Sequence, residues 1–214
     1  MIKIYHAGRS RALRVIWLME ELGEPYEVER ISYPVSGALL AKNPQGTLPF
    51  IEDGDVAMAE SLAILQYITG MRLTSRPQDG PSLTVGPRPS PAKYAEHLQM
   101  LHMGEASLTT PLTTVFATRL VAPEAEKDNA TTKLCIDMFL RRLGIIDAKL
   151  GDRRTWVTGE EFTIADISIG YALFFAERLG IENQMPERVQ AYYKRLKERL
   201  AYKRTMEKYG APAA

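Results

Sequence analysis

The chain is short of cysteine, histidine and long apolar runs, and each shortage excludes something. A single cysteine, Cys135, among 214 residues forbids an internal disulfide and suits a reducing compartment such as the cytoplasm. The three histidines are His6, His97 and His102; the last two, on one helix, point about 140° apart by helical geometry. They cannot act as a ligand pair, so no metal is expected. Charge of one sign is missing too: 27 basic groups stand against 26 acidic ones, which gives no electrostatic case for nucleic acid or an anionic membrane surface. No apolar run approaches the roughly 18 residues that span a bilayer. Met1 to Tyr5 reads as a strand rather than a signal peptide.

What is present is an ordered alternation of elements. Ile2, Ile4 and Tyr5 suggest an opening strand. After Ser10 the apolar residues Ala12, Leu13, Val15, Ile16, Leu18, Met19 and Leu22 recur at helical spacing and stop at Gly23. Ser10 is thus expected to cap or begin the first helix, with Glu20 and Glu21 on its solvent side. Tyr26 to Tyr33 alternates as a second strand, and Pro34 to Lys42 supplies a short helix that Asn43-Pro44 ends.

The segment from Asn43 to Ser61 is dense in signals. Pro49 lacks a strand donor and holds Leu48 extended just before the apolar pair Phe50-Ile51, which predicts a fixed turn, with a cis bond as one form of it. Asp53-Gly54 separates that pair from Val56 to Met58, a hairpin signature. Glu60-Ser61 then opens a helix carrying Leu62, Ile64, Leu65 and Ile68, ended by Gly70. Since a helix N-terminus presents free N–H groups and partial positive charge, this order of loop, proline, hairpin and helix suggests a site for a carboxylate.

Beyond residue 70 the character changes. Pro77, Pro81, Pro87, Pro89 and Pro91 fall within one stretch, which reads as a linker or long surface loop. From Ser90-Pro91 onward the pattern is helical, with interruptions near Pro111 and Pro123 and a new helix after the acidic start at Glu124 and Glu126. Thr163 and Asp166 stand at capping-box spacing before another helix. Pro186 introduces a further helix, Tyr202 to Tyr209 forms a last short one, and Ala211 to Ala214 is expected to fray. Cys135 reads as a small core residue.

The Asn-Pro, short loop, apolar residue, proline, hairpin and acidic-Ser order of residues 43–61, together with the Thr163/Asp166 capping box, resembles the soluble glutathione transferases. The likeness runs over nearly the whole chain and points to a serine-type, theta-like bacterial-style member. It implies a thioredoxin-like glutathione-binding domain over 1–76, a linker over 77–90 and an all-helical domain with the co-substrate pocket over 91–214. It further implies a cytoplasmic homodimer that uses glutathione as co-substrate and takes a small-molecule electrophile as partner.

The same resemblance carries over site residues. Serine-type members place the catalytic hydroxyl four residues before an arginine of the first helix, and Ser10 and Arg14 keep that spacing. Tyr5 competes, because tyrosine-type members place their hydroxyl near the end of the first strand. Glu60 and Ser61 resemble the pair holding the γ-glutamyl end, and Leu48 beside Pro49 the backbone that pairs with the cysteinyl unit. Thr47 stands where many members carry Lys or Gln, so Lys42 and Gln45 become candidates for the glycine carboxylate. His6, Arg9, His102, Met103 and Leu108 are candidates for the co-substrate pocket. The chemistry asked of the protein is clear: a free thiol of pKa about 8.5 must be held as thiolate near neutrality, at about 1.4 kcal/mol per pKa unit. A donor hydroxyl and the positive end of a helix supply that together. The rival reading is a carrier that keeps the fold and pocket with little turnover, and the sequence does not rank conjugation against ether cleavage, dehalogenation, peroxide reduction or isomerisation.

Overall fold

The computed structural model describes residues 1–8, 10–32, 34–75, 83–86, 88 and 90–210. The order of elements is β1 (Ile2–His6), α1 (Ala12–Leu22), β2 (Tyr26–Arg30), α2 (Gly37–Lys42), β3 (Phe50–Asp53), β4 (Val56–Ala59) and α3 (Ser61–Ser75), followed by helices α4 (Pro91–Met103), α5 (Thr110–Val121), α6 (Ala130–Leu150), α7 (Ile164–Arg178), α8 (Glu187–Glu198) and α9 (Leu200–Tyr209). They pack as two compact units, Met1–Ser82 with Lys197–Ala214, and Leu83–Leu196.

The first unit is built on a four-stranded mixed sheet of order β2-β1-β3-β4. β1 runs parallel to β2 through the α1 crossover and antiparallel to β3, which pairs antiparallel with β4. That is the thioredoxin-like order. Alternation along β1 divides its side chains between two faces. Tyr5 packs with Ala7, Val35, Leu48 and Phe50 on one face, while Ile4 and His6 lie fully buried on the other. α1 ends where expected, at Gly23 in the left-handed conformation with φ 65°, a place where a Cβ would be costly.

Three details of this unit differ from the sequence expectation. Gly70 does not end α3, which continues to Ser75; a lone interior glycine weakens a helix by about 1 kcal/mol without stopping it. Glu20 and Glu21 do not face solvent, since their side chains are only 9% and 8% exposed. The reason is α9, placed by sequence in the helical domain, which instead packs on α1. Arg199 clamps Glu21 with bonds of 2.6 and 2.7 Å, Arg204 and Lys208 reach Glu20 at 2.5 and 3.1 Å, and Tyr202 meets Trp17 edge-on with ring centroids 4.9 Å apart.

Among the described residues of the second unit the regular elements are helices, joined by turns that include one isolated bridge between Trp156 and Gly159. Leu83, inside the expected linker, is buried, and its carbonyl accepts from Ile164 N–H at 2.8 Å. Residues 76–82, Pro87, Pro89, Tyr33 and Ala211 to Ala214, on which other linker, strand and tail readings fell, lie outside the described residues. α4 passes through a wide π-helical stretch, Gly104–Thr109, into α5. Glu124–Glu126 is only a short 3-10 turn, and α6 starts later, capped by Asn129, whose side chain accepts from Thr132 N–H. Along this helix Phe139, Leu143 and Ile146 are buried, Leu134 is 59% exposed and Cys135 is half-buried rather than core. The Thr163/Asp166 capping box is present with both reciprocal bonds.

Candidate functional site

Two stretches of the first unit carry the residues marked by sequence. The first is the turn from β1 into α1. Ser10 N–H donates to the Ala7 carbonyl at 3.0 Å, and its own carbonyl accepts Leu13 N–H at 3.1 Å. Ser10 stands one residue ahead of the formal cap, Arg11, which has helical φ and ψ and no capping side chain. The Ser10 hydroxyl oxygen lies 3.4 Å from Ala12 N–H, so it sits at the positive end of α1. Arg9 lies outside the described residues.

The same hydroxyl is 3.3 Å from His6 Nδ1. On the far side of that ring, Nε2 lies 3.3 Å from the Tyr209 carbonyl at the end of α9. A carbonyl only accepts, so Nε2 carries the proton, Nδ1 offers a lone pair, and Ser10 O–H donates to it. His6 is fully buried, and burial pushes its pKa down to about 4, aided by nearby Arg30 and opposed by the Tyr209 carbonyl. The imidazole is neutral at pH 7. Sequence reading set His6 beside a co-substrate pocket; here it lies in the interior, tying Ser10 to α9.

The second stretch is the loop and hairpin before α3. Leu48-Pro49 is cis, and both residues are buried. Among the described residues, neither the N–H nor the C=O of Leu48 has a hydrogen-bond partner, which leaves backbone available to an extended peptide. Asn43 Nδ2 braces the loop by donating to the Thr47 carbonyl at 2.7 Å. Gln45 and Thr47 are exposed. Glu60, also exposed, adopts φ 70°, a left-handed conformation uncommon for a non-glycine residue and costing on the order of 1 kcal/mol. Its carbonyl accepts Ile64 N–H at 2.9 Å, so it forms the first turn of α3 beside the buried Ser61.

Arg14 joins the two stretches. Fully buried on α1, it donates from Nη1 to Ser61 Oγ at 3.1 Å, so the helix that follows Ser10 is bonded directly to the start of α3. An interior cation also favours negative charge nearby.

Tyr5 is arranged differently. Its hydroxyl donates to Glu52 Oε2 at 2.5 Å, while Lys42 holds the other oxygen of that carboxylate at 2.6 Å. Burial and the Glu52 bond both raise the Tyr5 pKa above its ordinary value, which moves it away from an easily formed tyrosinate. Lys42 is likewise engaged with Glu52 rather than free for an incoming carboxylate.

The three remaining co-substrate candidates belong to the helical unit. His102 is exposed, Met103 is 7% exposed and Leu108 fully buried, so the last two are packing residues there. His97, not singled out as a site residue, is the buried histidine of that helix, 3.2 Å from the Thr84 hydroxyl. Among the described residues no three His, Cys, Asp or Glu side chains group closely enough to hold a metal ion, and no helix is long and apolar enough to cross a membrane.

Sequence alone missed the roles of Tyr209, Glu52 and the Ser61 partner of Arg14. The Arg14 signal was available: in the α1 pattern it falls among apolar residues, and a charge on a helix with that much buried surface needs an interior partner. The Tyr209 contact, 203 residues away in sequence from His6, left no local trace.

Known proteins share this fold. Residues 4–71 match the family model for the glutathione S-transferase N-terminal domain, and residues 108–203 that for the C-terminal domain. Glutathione S-transferase 2 of Saccharomyces cerevisiae is 31% identical over 176 residues, covering 78% of this chain and 70% of that protein. Glutathione S-transferase 3 of Schizosaccharomyces pombe is 26% identical over 226 residues, covering 97% and 88%. A theta class glutathione S-transferase from Xanthomonas axonopodis pv. citri, crystallised with glutathione bound, superposes with a TM-score of 0.76 at 26% identity, covering 100% of this chain and 99% of that one. With both domain models matched in order and a relative this similar, the chain belongs to the glutathione S-transferase family and is a glutathione transferase.

Proposed function

We propose that this enzyme is of the serine type: it binds glutathione on the first unit, holds the thiol as thiolate at Ser10, and adds it to a small hydrophobic electrophile. The observation that carries this reading is the placement of the Ser10 hydroxyl at the N-terminus of α1, with Arg14 of the same helix bonded to Ser61. A donor hydroxyl, a helix end and a buried guanidinium all favour anionic sulfur over neutral thiol. Tyr5 is the weaker candidate, since its proton is committed to Glu52.

Around that sulfur the tripeptide is placed as follows. Its γ-glutamyl carboxylate takes the Ser61 hydroxyl and the free N–H groups of α3, and its ammonium takes Glu60. The cysteinyl backbone pairs with the open N–H and C=O of Leu48, held by cis-Pro49. The glycine carboxylate lies toward Gln45 and Thr47, with Lys42 available once it exchanges Glu52 for the ligand. The reaction joins sulfur to an electrophilic carbon and expels the leaving group, helped by the proximity of the bound partners. We further propose a homodimer working in the cytoplasm, where the single cysteine remains reduced.

The test is a calorimetric titration of glutathione near pH 7, repeated in buffers of different ionisation heat. Saturable binding with close to one proton released per site is expected. Binding without proton release would remove thiolate formation from the account, and no binding would remove the glutathione site itself.

A further inference from the structure

The helical unit holds an arginine-lined cavity that shares no residue with the site above. It is a groove of about 320 Å³ lined by Leu150, Arg153, Arg154, Thr155, Arg188, Ala191 and Arg195. On α8, residues 188, 191 and 195 are spaced to share one face, so the small side chain of Ala191 leaves an opening between two arginines. The turn after α6 supplies the other two arginines across from them.

Two of these four guanidinium groups are neutralised. Arg188 is gripped through Nε and Nη2 by the Asp147 carboxylate at 3.1 and 2.5 Å. Arg154 is shared between Asp152, at 2.5 Å, and Glu96, at 2.8 Å, and Lys149 also pairs with Glu96. The other two are not. Arg195 donates from Nη2 to the Thr155 carbonyl at 3.3 Å and lies over the Tyr192 ring at 5.9 Å, neither of which carries a negative charge. Its Nε is buried without any hydrogen-bond acceptor. Arg153 is exposed, projects from a residue at φ 70° and makes no ion pair among the described residues.

A buried donor left unsatisfied costs about 1–3 kcal/mol, more when charged. Locally, five cations face four carboxylates, the fourth being Glu160, which accepts from the Thr155 hydroxyl at 3.0 Å, so the groove keeps a positive excess although the chain as a whole is nearly neutral. We infer that this groove binds a compact polyanion of the phosphate type, taken by the Arg195 guanidinium on its wall and by Arg153 at its rim. Guanidinium forks match tetrahedral oxyanions. The volume, at the low end of small-molecule pockets, suits a di- or triphosphate group rather than an extended polymer.

The probe is inorganic pyrophosphate, titrated by calorimetry into the full chain in phosphate-free buffer at low salt. Saturable binding at one per chain is expected, weakening as salt is raised. Arg195→Gln should lower affinity at least tenfold. Arg153→Gln, a surface change that leaves the fold intact, should lower it at least threefold. Arg141→Gln, an exposed arginine on α6 away from the groove, should leave it unchanged. Absence of saturable binding at millimolar pyrophosphate overturns the inference. So does binding that is equally strong in the Arg195 and Arg153 variants, which would place the ion elsewhere.

Discussion

A single proton decides much at the residue scale. The Ser10 hydroxyl has one hydrogen, and in the free protein the neutral His6 ring takes it. Transfer onward to His6 would not help catalysis: a ring with pKa about 4 accepting from a thiol of about 8.5 is uphill by roughly 6 kcal/mol. Ser10 must instead swing its O–H from Nδ1 to sulfur, acting as donor and not as base. Removing that donor should therefore cost thiolate stabilisation while leaving most of the tripeptide contacts in place. Ser10→Ala is expected to lower turnover at least tenfold with only a modest loss of glutathione affinity, and to raise the pKa of the bound thiol. Tyr5→Phe, which deletes the bond to Glu52, should change neither the thiol pKa nor turnover by more than a few-fold. Steady-state kinetics and thiolate ultraviolet absorbance against pH check both. The opposite pattern, with Tyr5→Phe inactive and Ser10→Ala unchanged, would move the thiol to the other face of β1.

Glycines at the element scale separate local propensity from packing. Gly104, where α4 widens into its π-helical stretch, has α7 directly against it: a Cβ there would lie 2.6 Å from the Ser168 carbonyl carbon and 2.8 Å from its oxygen. Ser168 is itself fixed by donating to the Leu101 carbonyl at 2.7 Å. Gly144, inside α6, has nothing within 4 Å of the corresponding position. Alanine should thus have opposite effects on two helical glycines. Gly104→Ala is expected to destabilise by about 1–3 kcal/mol through overpacking, whereas Gly144→Ala should stabilise by up to about 1 kcal/mol through helix propensity. Urea denaturation of both variants checks the signs, and a neutral or stabilising Gly104→Ala would mean that α4 and α7 can part without cost. The same contrast explains what could be read from sequence. Elements with local punctuation were legible: Gly23 ending α1, Gly54 in the hairpin, Pro49 before β3 and the Thr163/Asp166 box each act through neighbours in sequence. Gly70 looked like a terminator because its local preference points that way, yet α3 runs on to Ser75. For α6, acidic residues suggested a start at Glu124, but the cap that satisfies free N–H groups is Asn129.

At the scale of the whole molecule, what sequence could not supply was partnership over distance. Glu20 and Glu21 end an amphipathic helix and looked solvated; only α9, nearly 180 residues later, supplies Arg199, Arg204 and Lys208 to bury them. His6 and His97 each needed a distant partner, the Tyr209 carbonyl and the Thr84 hydroxyl, before their burial made sense. These groups together set the response to acid. Burial lowers the pKa of both histidines to about 4 from 6.5, so between those values the unfolded chain takes up protons that the folded chain refuses, and stability falls as pH falls. Asp166 acts in the opposite sense. Burial raises it to about 6 against four donors that pull it back, so over the range from 6 down to 3.8 the folded state binds the extra proton and gains. Each histidine contributes roughly 3 kcal/mol when fully expressed and Asp166 offsets about the same amount, so two histidines against one carboxyl leave a net loss of a few kcal/mol by pH 4. Glu20, which burial would raise but which Tyr26, Arg204 and Lys208 together hold down to about 2, adds its own loss only below about pH 4.5. Stability from urea midpoints should therefore decline from pH 7 to pH 4.5, before most carboxylates titrate, and His97→Gln should flatten that slope because an amide binds no proton. A midpoint that stays level to pH 4.5 would mean that both rings already protonate in the folded protein, and with His6 charged the Ser10 hydroxyl would lose the acceptor that now orients it.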